Sequence, residues 1–197
     1  MTSRARDRNL GTGKSCRPRS GRKLRTLADI VAAYKDHHRR RLRDELASFR
    51  KERSLASAVA RAARAERPDG KRYDHQRRIK KEALRQVGAA LLGNSFHGCA
   101  DFASLHERVR KTIGDIHGVG ELMVYDTALR IAAKRGCLPT AVYVHSGTRQ
   151  GVGAMGLDTR RPWIPLSEFQ KPLRPLKAHE IEDLLCIFKD DLRMLRS

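Results

Sequence analysis

Apolar residues recur at intervals of three and four positions from residue 26 onward, which is the spacing of amphipathic α-helices. Thr26 stands at the N-terminal cap of the first apolar stripe, with Asp29 three residues later, close to a capping box. Ser54 is the expected cap of a second helix. The helices predicted in this half of the chain cover 27–49, 55–66 and about 74–92.

The second half alternates helical stripes with glycine-rich and proline-rich turns. Asp101 is the expected cap of a helix that ends before a glycine turn, and the next helix stops at Gly136. Residues 140–145 are either a short strand or a buried extended turn. The prolines of 159–177 predict a surface loop, and a last helix begins at about 178.

These patterns predict a mainly α fold divided into three segments. Residues 1–25 have almost nothing to bury and are expected to be a disordered basic tail. Residues 26–93 are predicted to form an arm of basic amphipathic helices. Residues 94–197 are predicted to form a compact helical domain, in which two helices and the glycine turn span 101–136.

Positive charge is concentrated in the first half of the chain. The sequence has 42 Lys and Arg against 22 Asp and Glu, a formal charge of +20, and 27 of the basic residues lie in the first 100 positions. This distribution favours a polyanionic partner, with nucleic acid first and DNA ahead of RNA. A membrane partner is disfavoured because the basic helices lack a bulky apolar face. The alternative is a solvated basic surface that reflects a GC-rich genome.

The remaining composition excludes several classes of protein. No apolar run reaches the roughly 18–20 residues that span a bilayer, and the start lacks the apolar stretch of a signal peptide. The four cysteines are widely spaced, so reduced thiols and a cytoplasmic location are expected. No His or Cys pair stands at zinc spacing, and neither a metal nor a cofactor is expected.

The glycine turn, residues 116–120, is the feature that points most directly to a function. Its glycines permit a turn that side chains would obstruct, and the helix after it begins with unpaired N–H groups that suit a phosphate. We predict contacts with a nucleic acid backbone. The predicted contact residues are His117, Gly118, Val119 and Gly120, together with the basic residues Arg39, Arg40, Arg41, Arg43, Arg77, Arg78, Lys80, Lys81, Lys111, Lys134, Arg135 and Arg149.

The turn resembles the helix-hairpin-helix DNA-binding motif, in which apolar–x–Gly–apolar–Gly is followed by three residues and a small apolar one. The positions that fill this pattern are Ile116, Gly118, Val119, Gly120 and Val124. The resemblance implies hairpin amides on the phosphate oxygens of one strand, without base readout. It also implies a monovalent cation on the hairpin carbonyls.

Over 116–157 the chain is also similar to the helix-hairpin-helix DNA glycosylases. In bifunctional members of that family a Lys two residues past the hairpin forms an imine with the sugar, and in nearly all an Asp offsets the charge that develops there. Leu122 and Tyr143 stand at these positions here, and neither can do this chemistry. The resemblance therefore implies the fold and not the reaction.

Glu121 is a second departure, at the start of the helix that follows the turn. A carboxylate there suits the helix dipole but repels a phosphate. Either Glu121 points away from the proposed contact, or the turn is purely structural.

Three residues are candidates for catalysis if the chain is an enzyme: Asp126, His145 and Asp183. Asp126 lies four residues before Arg130, and we interpret this spacing as an ordinary ion pair on the helix surface. His145 could bind phosphate or act as a general base, but a packed histidine is the interpretation we favour. Asp183 lies near a helix start, where the dipole favours an acidic residue.

Trp163 is the only tryptophan of the chain. It could stack on an exposed base, but we favour a role in pinning the proline-rich loop to the core.

Three hypotheses follow for the function. The first is a protein that binds nucleic acid through its backbone without strong sequence specificity. The second is a divergent glycosylase or lyase acting on damaged DNA, and the third is a basic module that binds RNA or an acidic protein.

Overall fold

A computed structural model describes residues 24–195, and over this range the fold is mainly helical. All but the last two positions of the predicted basic tail lie outside the described residues. The helices are α1 (Leu27–His37), α2 (Arg39–Arg50), α3 (Leu55–Ala63), α4 (Lys81–Leu92), α5 (Phe102–Ile113), α6 (Glu121–Arg135), α7 (Arg149–Ala154), α8 (Ala178–Ile187) and α9 (Lys189–Met194). Short 3₁₀ turns occupy Asp74–Gln76, Leu166–Glu168 and Lys171–Leu173.

Two short strands form the sheet of the described region. Strands β1 (Ala141–Tyr143) and β2 (Trp163–Pro165) pair antiparallel, with Val142 opposite Ile164 and Tyr143 opposite Trp163. The extended segment predicted at 140–145 is therefore a strand over its first part. The proline-rich segment supplies the second strand, which the sequence pattern did not predict.

The predicted helix starts are confirmed at three caps. The side chains of Thr26, Ser54 and Asp101 each accept a hydrogen bond from the backbone N–H three residues later, and each closes a capping box. Gly136 ends α6 with φ +77°, in the left-handed region that favours glycine. These elements depend on neighbouring residues, which explains why the sequence predicts them well.

The first predicted helix is in fact two helices, because its apolar stripe serves two different clusters. Ile30 and Tyr34 of α1 pack with the C-terminal helices, whereas Leu46 and Phe49 of α2 pack with the central ones. The chain breaks at His38, so that each half of the stripe faces its own cluster. The last predicted helix is also two helices, divided at Phe188, and both of them pack in the second cluster.

The core consists of two hydrophobic clusters. The first cluster is built from α2 to α6, and the second from α1, the two strands and α7 to α9. Helix α6 is the most enclosed element of the first cluster, with ten of its residues buried. Helices from the predicted arm, residues 26–93, contribute to both clusters, so their apolar faces pack against helices of the segment 94–197.

Candidate functional site

The glycine turn connects α5 to α6 and exposes part of its backbone. Ile116 and Val119 are half-buried against the first cluster, and the N–H of Val119 donates to the carbonyl of Ile116 at 2.9 Å. Gly118 has φ +89°, which a residue with a Cβ adopts only with strain. Gly118 and Gly120 are exposed, so the two apolar residues anchor the turn while its glycines face solvent.

Gly120 is the N-cap residue of α6, and as a glycine it offers no side chain to the first N–H groups of the helix. These N–H groups have no intrahelical partner, and they carry the positive end of the helix dipole. The exposed turn therefore leads directly to a helix start that can accept an anion.

A basic segment, residues 77–81, passes beside the glycine turn. A Cβ atom built on Gly118 would lie 4.0 Å from the Cβ of Ala83, in the first turn of α4. Lys80 caps that helix and Lys81 is its first residue. Both lysines are exposed, and so is Arg78. Within the described part of the chain none of the three side chains forms an ion pair.

Hydrogen bonds hold the residues before the basic segment against α6. The Nε2 atom of His75 lies 2.7 Å from Oδ2 of Asp126, and the Nε2 atom of Gln76 donates to the same oxygen at 2.9 Å. Gln76 also contacts the sulfur of Met123 at 3.1 Å. These contacts explain why residues 74–76 form a 3₁₀ turn and α4 begins only at Lys81, later than predicted.

Arg149 meets Glu121 at the start of α6. One terminal nitrogen of the guanidinium donates to both carboxylate oxygens, at 3.1 and 3.0 Å. Both side chains remain partly exposed. The negative charge expected to repel a phosphate is thus paired with a cation that the sequence places 28 residues away.

Several of the other predicted contact residues lie away from the turn or are already paired. Lys134 bonds to the backbone carbonyls of Arg50 and Glu52, and Arg135 bonds to the carbonyl of Cys99 at 2.7 Å. Both stand at the opposite end of the 15-residue α6, roughly 20 Å from the glycine turn. The remaining pairs are Lys111 with Glu107, Arg39 with Glu180, Arg40 with Asp44 and Arg77 with Asp74.

Arg40 and Arg41 line a cavity of about 510 Å³ between the α1–α2 junction and residues 67–74. Asp36, Asp44 and Glu45 line it as well, so its charge is mixed. Arg43 is exposed on the same helix. Arg40, Arg41 and Arg43 are therefore divided between a cavity of mixed charge and open solvent, while Arg39 is paired with Glu180.

The interpretation of Arg130 as a surface residue is wrong. Its side chain is 2% exposed, and it donates to Glu45 at 2.9 Å and to Gln76 at 2.9 Å. Its guanidinium also lies 3.9 Å from the ring centre of Tyr73. The predicted ion pair with Asp126 is present, with 3.8 Å between a guanidinium nitrogen and a carboxylate oxygen. The pair is enclosed because α2, α3 and α5 surround α6.

His145 is buried and uses both ring nitrogens. Its Nε2 atom lies 2.6 Å from a carboxylate oxygen of Glu182, and its Nδ1 accepts a hydrogen bond from the N–H of Gly147 at 3.1 Å. An Nδ1 that accepts and an Nε2 that donates define the neutral ring. The favoured interpretation, a packed and hydrogen-bonded histidine, agrees with this geometry.

The charge of Glu182 interacts with all three catalytic candidates, and its carboxylate contacts His145 directly. Burial raises the pKa of Glu182. The hydrogen bond and charge of His145 lower this pKa, and the charge of Asp126 raises it. Burial and the charge of Glu182 raise the pKa of Asp183 to about 8. The nearby Cys186 thiol has a pKa raised to about 12 by burial and by Glu182, which opposes formation of a nucleophilic thiolate.

Trp163 is exposed over 46% of its surface, so the interpretation that it pins the proline-rich loop is wrong. Its neighbour Ile164, which is fully buried in the second cluster, holds β2 in place. Alternation along the strand explains the difference, since adjacent side chains point to opposite faces.

No known protein family, curated protein or solved structure matches this chain. Between residues 24 and 195, no helix has the length and apolar character needed to cross a membrane. Over the same residues, no three His, Cys, Asp or Glu side chains form a group that could hold a metal ion.

Proposed function

We propose that the chain binds the phosphate backbone of nucleic acid, and of duplex DNA above all, through the glycine turn and the adjacent basic segment. The observation that carries this proposal is the proximity of Gly118 to the first turn of α4, where a Cβ built on the glycine would lie 4.0 Å from that of Ala83. It brings exposed backbone amides and three exposed cations together at one end of α6.

Each part of this surface suits a phosphate for a separate reason. The glycine turn and the start of α6 supply N–H donors and the positive end of a dipole. Arg78, Lys80 and Lys81 supply positive charge that is not committed to an ion pair in the described part of the chain. The order α5, glycine turn and α6 also agrees with the resemblance to the helix-hairpin-helix motif.

Backbone contacts of this kind position a protein on nucleic acid without selecting a base sequence. The expected binding is therefore tolerant of sequence and sensitive to salt, because each neutralised phosphate releases counterions. The ion pair of Glu121 with Arg149 supports the proposal, since it offsets the one acidic side chain at the start of α6.

The test is a titration of labelled duplex DNA, followed by fluorescence anisotropy at several salt concentrations. The logarithm of the affinity should fall with the logarithm of the salt concentration, with a slope of roughly 0.9 for each phosphate contact. A triple variant, Arg78→Ala with Lys80→Ala and Lys81→Ala, should weaken binding and reduce that slope.

The matched control is Arg50→Ala with Lys51→Ala and Arg53→Ala. These three cations are also exposed, but they lie beside Lys134 at the opposite end of α6. The control should bind DNA like the unaltered chain. A salt-independent affinity, equal loss in both triple variants, or equal competition by polyglutamate would refute the proposal.

A further inference from the structure

We propose that Trp163 is a stacking platform for an unpaired base of the nucleic acid that the glycine turn holds. This inference rests on the proposed function and adds a ligand class to it, namely DNA with a single-stranded end or an unpaired base. Three observations carry it: the exposure of the indole, its position relative to α6, and the charges around it.

Trp163 lies on the face of the sheet that does not pack on the second cluster. Nearly half of the indole faces solvent, whereas Ile164 and Val142 are fully buried and hold the two strands to the second cluster. Trp163 stands opposite Tyr143, so the two side chains share one face of the sheet. The Tyr143 ring lies 4.7 Å from the ring of His106 and 6.0 Å from that of Tyr125, which places this face beside α5 and α6.

A short series of hydrogen bonds connects Trp163 with the start of α6. The carbonyl of Pro162 accepts from the N–H of Val144 at 2.9 Å. The next residue, His145, accepts through its carbonyl from the N–H of Arg149 at 2.9 Å, and the Arg149 side chain reaches Glu121. The residue before Trp163 is therefore linked, through residues 144–149, to the helix start where we place the phosphate.

The charges near Trp163 favour nucleic acid over an apolar protein surface. Arg160 and Arg161 precede it, Arg160 beside Asp158 and Arg161 in a bidentate pair with Glu168, and the side chains of both pairs are partly or largely exposed. Exposed pairs of this kind contribute little stability, so a phosphate can replace the carboxylate. An indole with neighbouring arginines suits a base and its backbone. The base must be unpaired, because neighbouring pairs cover the faces of bases within a duplex.

Because Trp163 is the only tryptophan of the chain, tryptophan fluorescence reports on the surroundings of this one side chain. The full chain is titrated with a blunt duplex and with the same duplex carrying a single-stranded overhang, and binding is followed in parallel by anisotropy of a DNA label. The overhang DNA should quench the tryptophan saturably at concentrations that match the anisotropy. The blunt duplex should bind without quenching.

Two substitutions at the site and one elsewhere complete the test. Trp163→Ala should raise the Kd for overhang DNA about tenfold and leave that for the blunt duplex unchanged. Trp163→Phe keeps an aromatic face and should stay within about threefold of the unaltered chain. Leu92→Ala removes another exposed apolar side chain, 55% exposed at the end of α4, and should change neither Kd.

Overhang DNA that binds without quenching would overturn the inference, as would a Kd of Trp163→Ala for overhang DNA equal to that of the unaltered chain. Equal loss in Leu92→Ala would also overturn it. The proposed function fails on a different result, the absence of salt-dependent binding of the blunt duplex. Quenching by overhang DNA in that case would still support stacking on Trp163.

Discussion

Gly120 permits a substitution that separates the capping of α6 from the binding of a phosphate. Its φ of −106° and ψ of 174° are extended values that other residues adopt, and no described atom beyond its chain neighbours lies within 4 Å of a Cβ built there. Asp and Asn are both good N-cap residues, so each should hold the helix at least as well as glycine does. Only Asp adds a negative charge at the proposed contact.

The expected cost follows from Coulomb's law. A carboxylate on residue 120 would stand about 5 Å from a phosphate bound at the first N–H groups of α6. At that distance two like charges repel by roughly 0.8 kcal/mol in water and by about 3 kcal/mol at an effective dielectric constant near 20. The Kd for duplex DNA should therefore rise by between about fourfold and 150-fold in Gly120→Asp.

The assay compares Gly120→Asp with Gly120→Asn by anisotropy at low and at high salt, with thermal unfolding of both variants as the control for folding. The Asn variant should bind more tightly than the Asp variant, because its side chain has the same shape and caps the same N–H groups without adding a charge. The difference between the variants should shrink as salt screens the repulsion. Equal affinities of the Asp and Asn variants would refute the phosphate contact at this helix start.

Two further predictions concern the buried charges. Arg130→Ala leaves Glu45 without its cation, and it should lower the free energy of unfolding in urea by about 3 to 5 kcal/mol, whereas a loss below about 1 kcal/mol would contradict the assigned ion pair. The pKa of Asp183 is raised to about 8, above its value in the unfolded chain, by burial and by the charge of Glu182. The protonated carboxyl therefore stabilises the fold, and this contribution is lost as the pH rises toward 8. The buried His106 and His179, with pKa values lowered to about 4 by burial, oppose this trend, because their imidazoles still lose protons in the unfolded chain above pH 6.5. Between pH 6.5 and 8 the free energy of unfolding of the unaltered chain should fall by about 1.5 kcal/mol relative to that of Asp183→Asn, which keeps both histidines, and identical pH dependence of the two chains would refute the assignment.

Sequence predicted the parts of the fold that depend on neighbouring residues. The caps at Thr26, Ser54 and Asp101 and the glycine end of α6 each use side chains or backbone within four positions. The division of the first stripe at His38 was not predicted, because an unbroken helix and two short helices give the same apolar spacing. Which of them forms depends on the two clusters, whose members are far apart in the sequence.

The same limit explains the error at Arg130. The spacing of Asp126 and Arg130 fits a helix surface and a helix interior equally well. What encloses the pair is Glu45, 85 residues away, together with the ring of Tyr73. A weak indication was present in the sequence, since Arg130 lies between Leu129 and the apolar run 131–133. Apolar residues on both sides of Arg130 in the sequence indicate that no face of this part of α6 is fully polar, which is typical of an enclosed helix.

The polar contacts of Asp126 and His145 have a simpler explanation than catalysis. Asp126 supports the basic segment, and His145 supports the loop that carries Arg149. Asp126 uses one oxygen for both His75 and Gln76, which fixes the residues before the basic segment against α6. His145 ties the loop that ends at Arg149 to α8 through Glu182. A general base needs a nitrogen that is free to take a proton, and Gly147 and Glu182 occupy both nitrogens of His145. We infer that these residues hold Arg149 and the basic segment at the start of α6, so that in the proposed function they would act only indirectly.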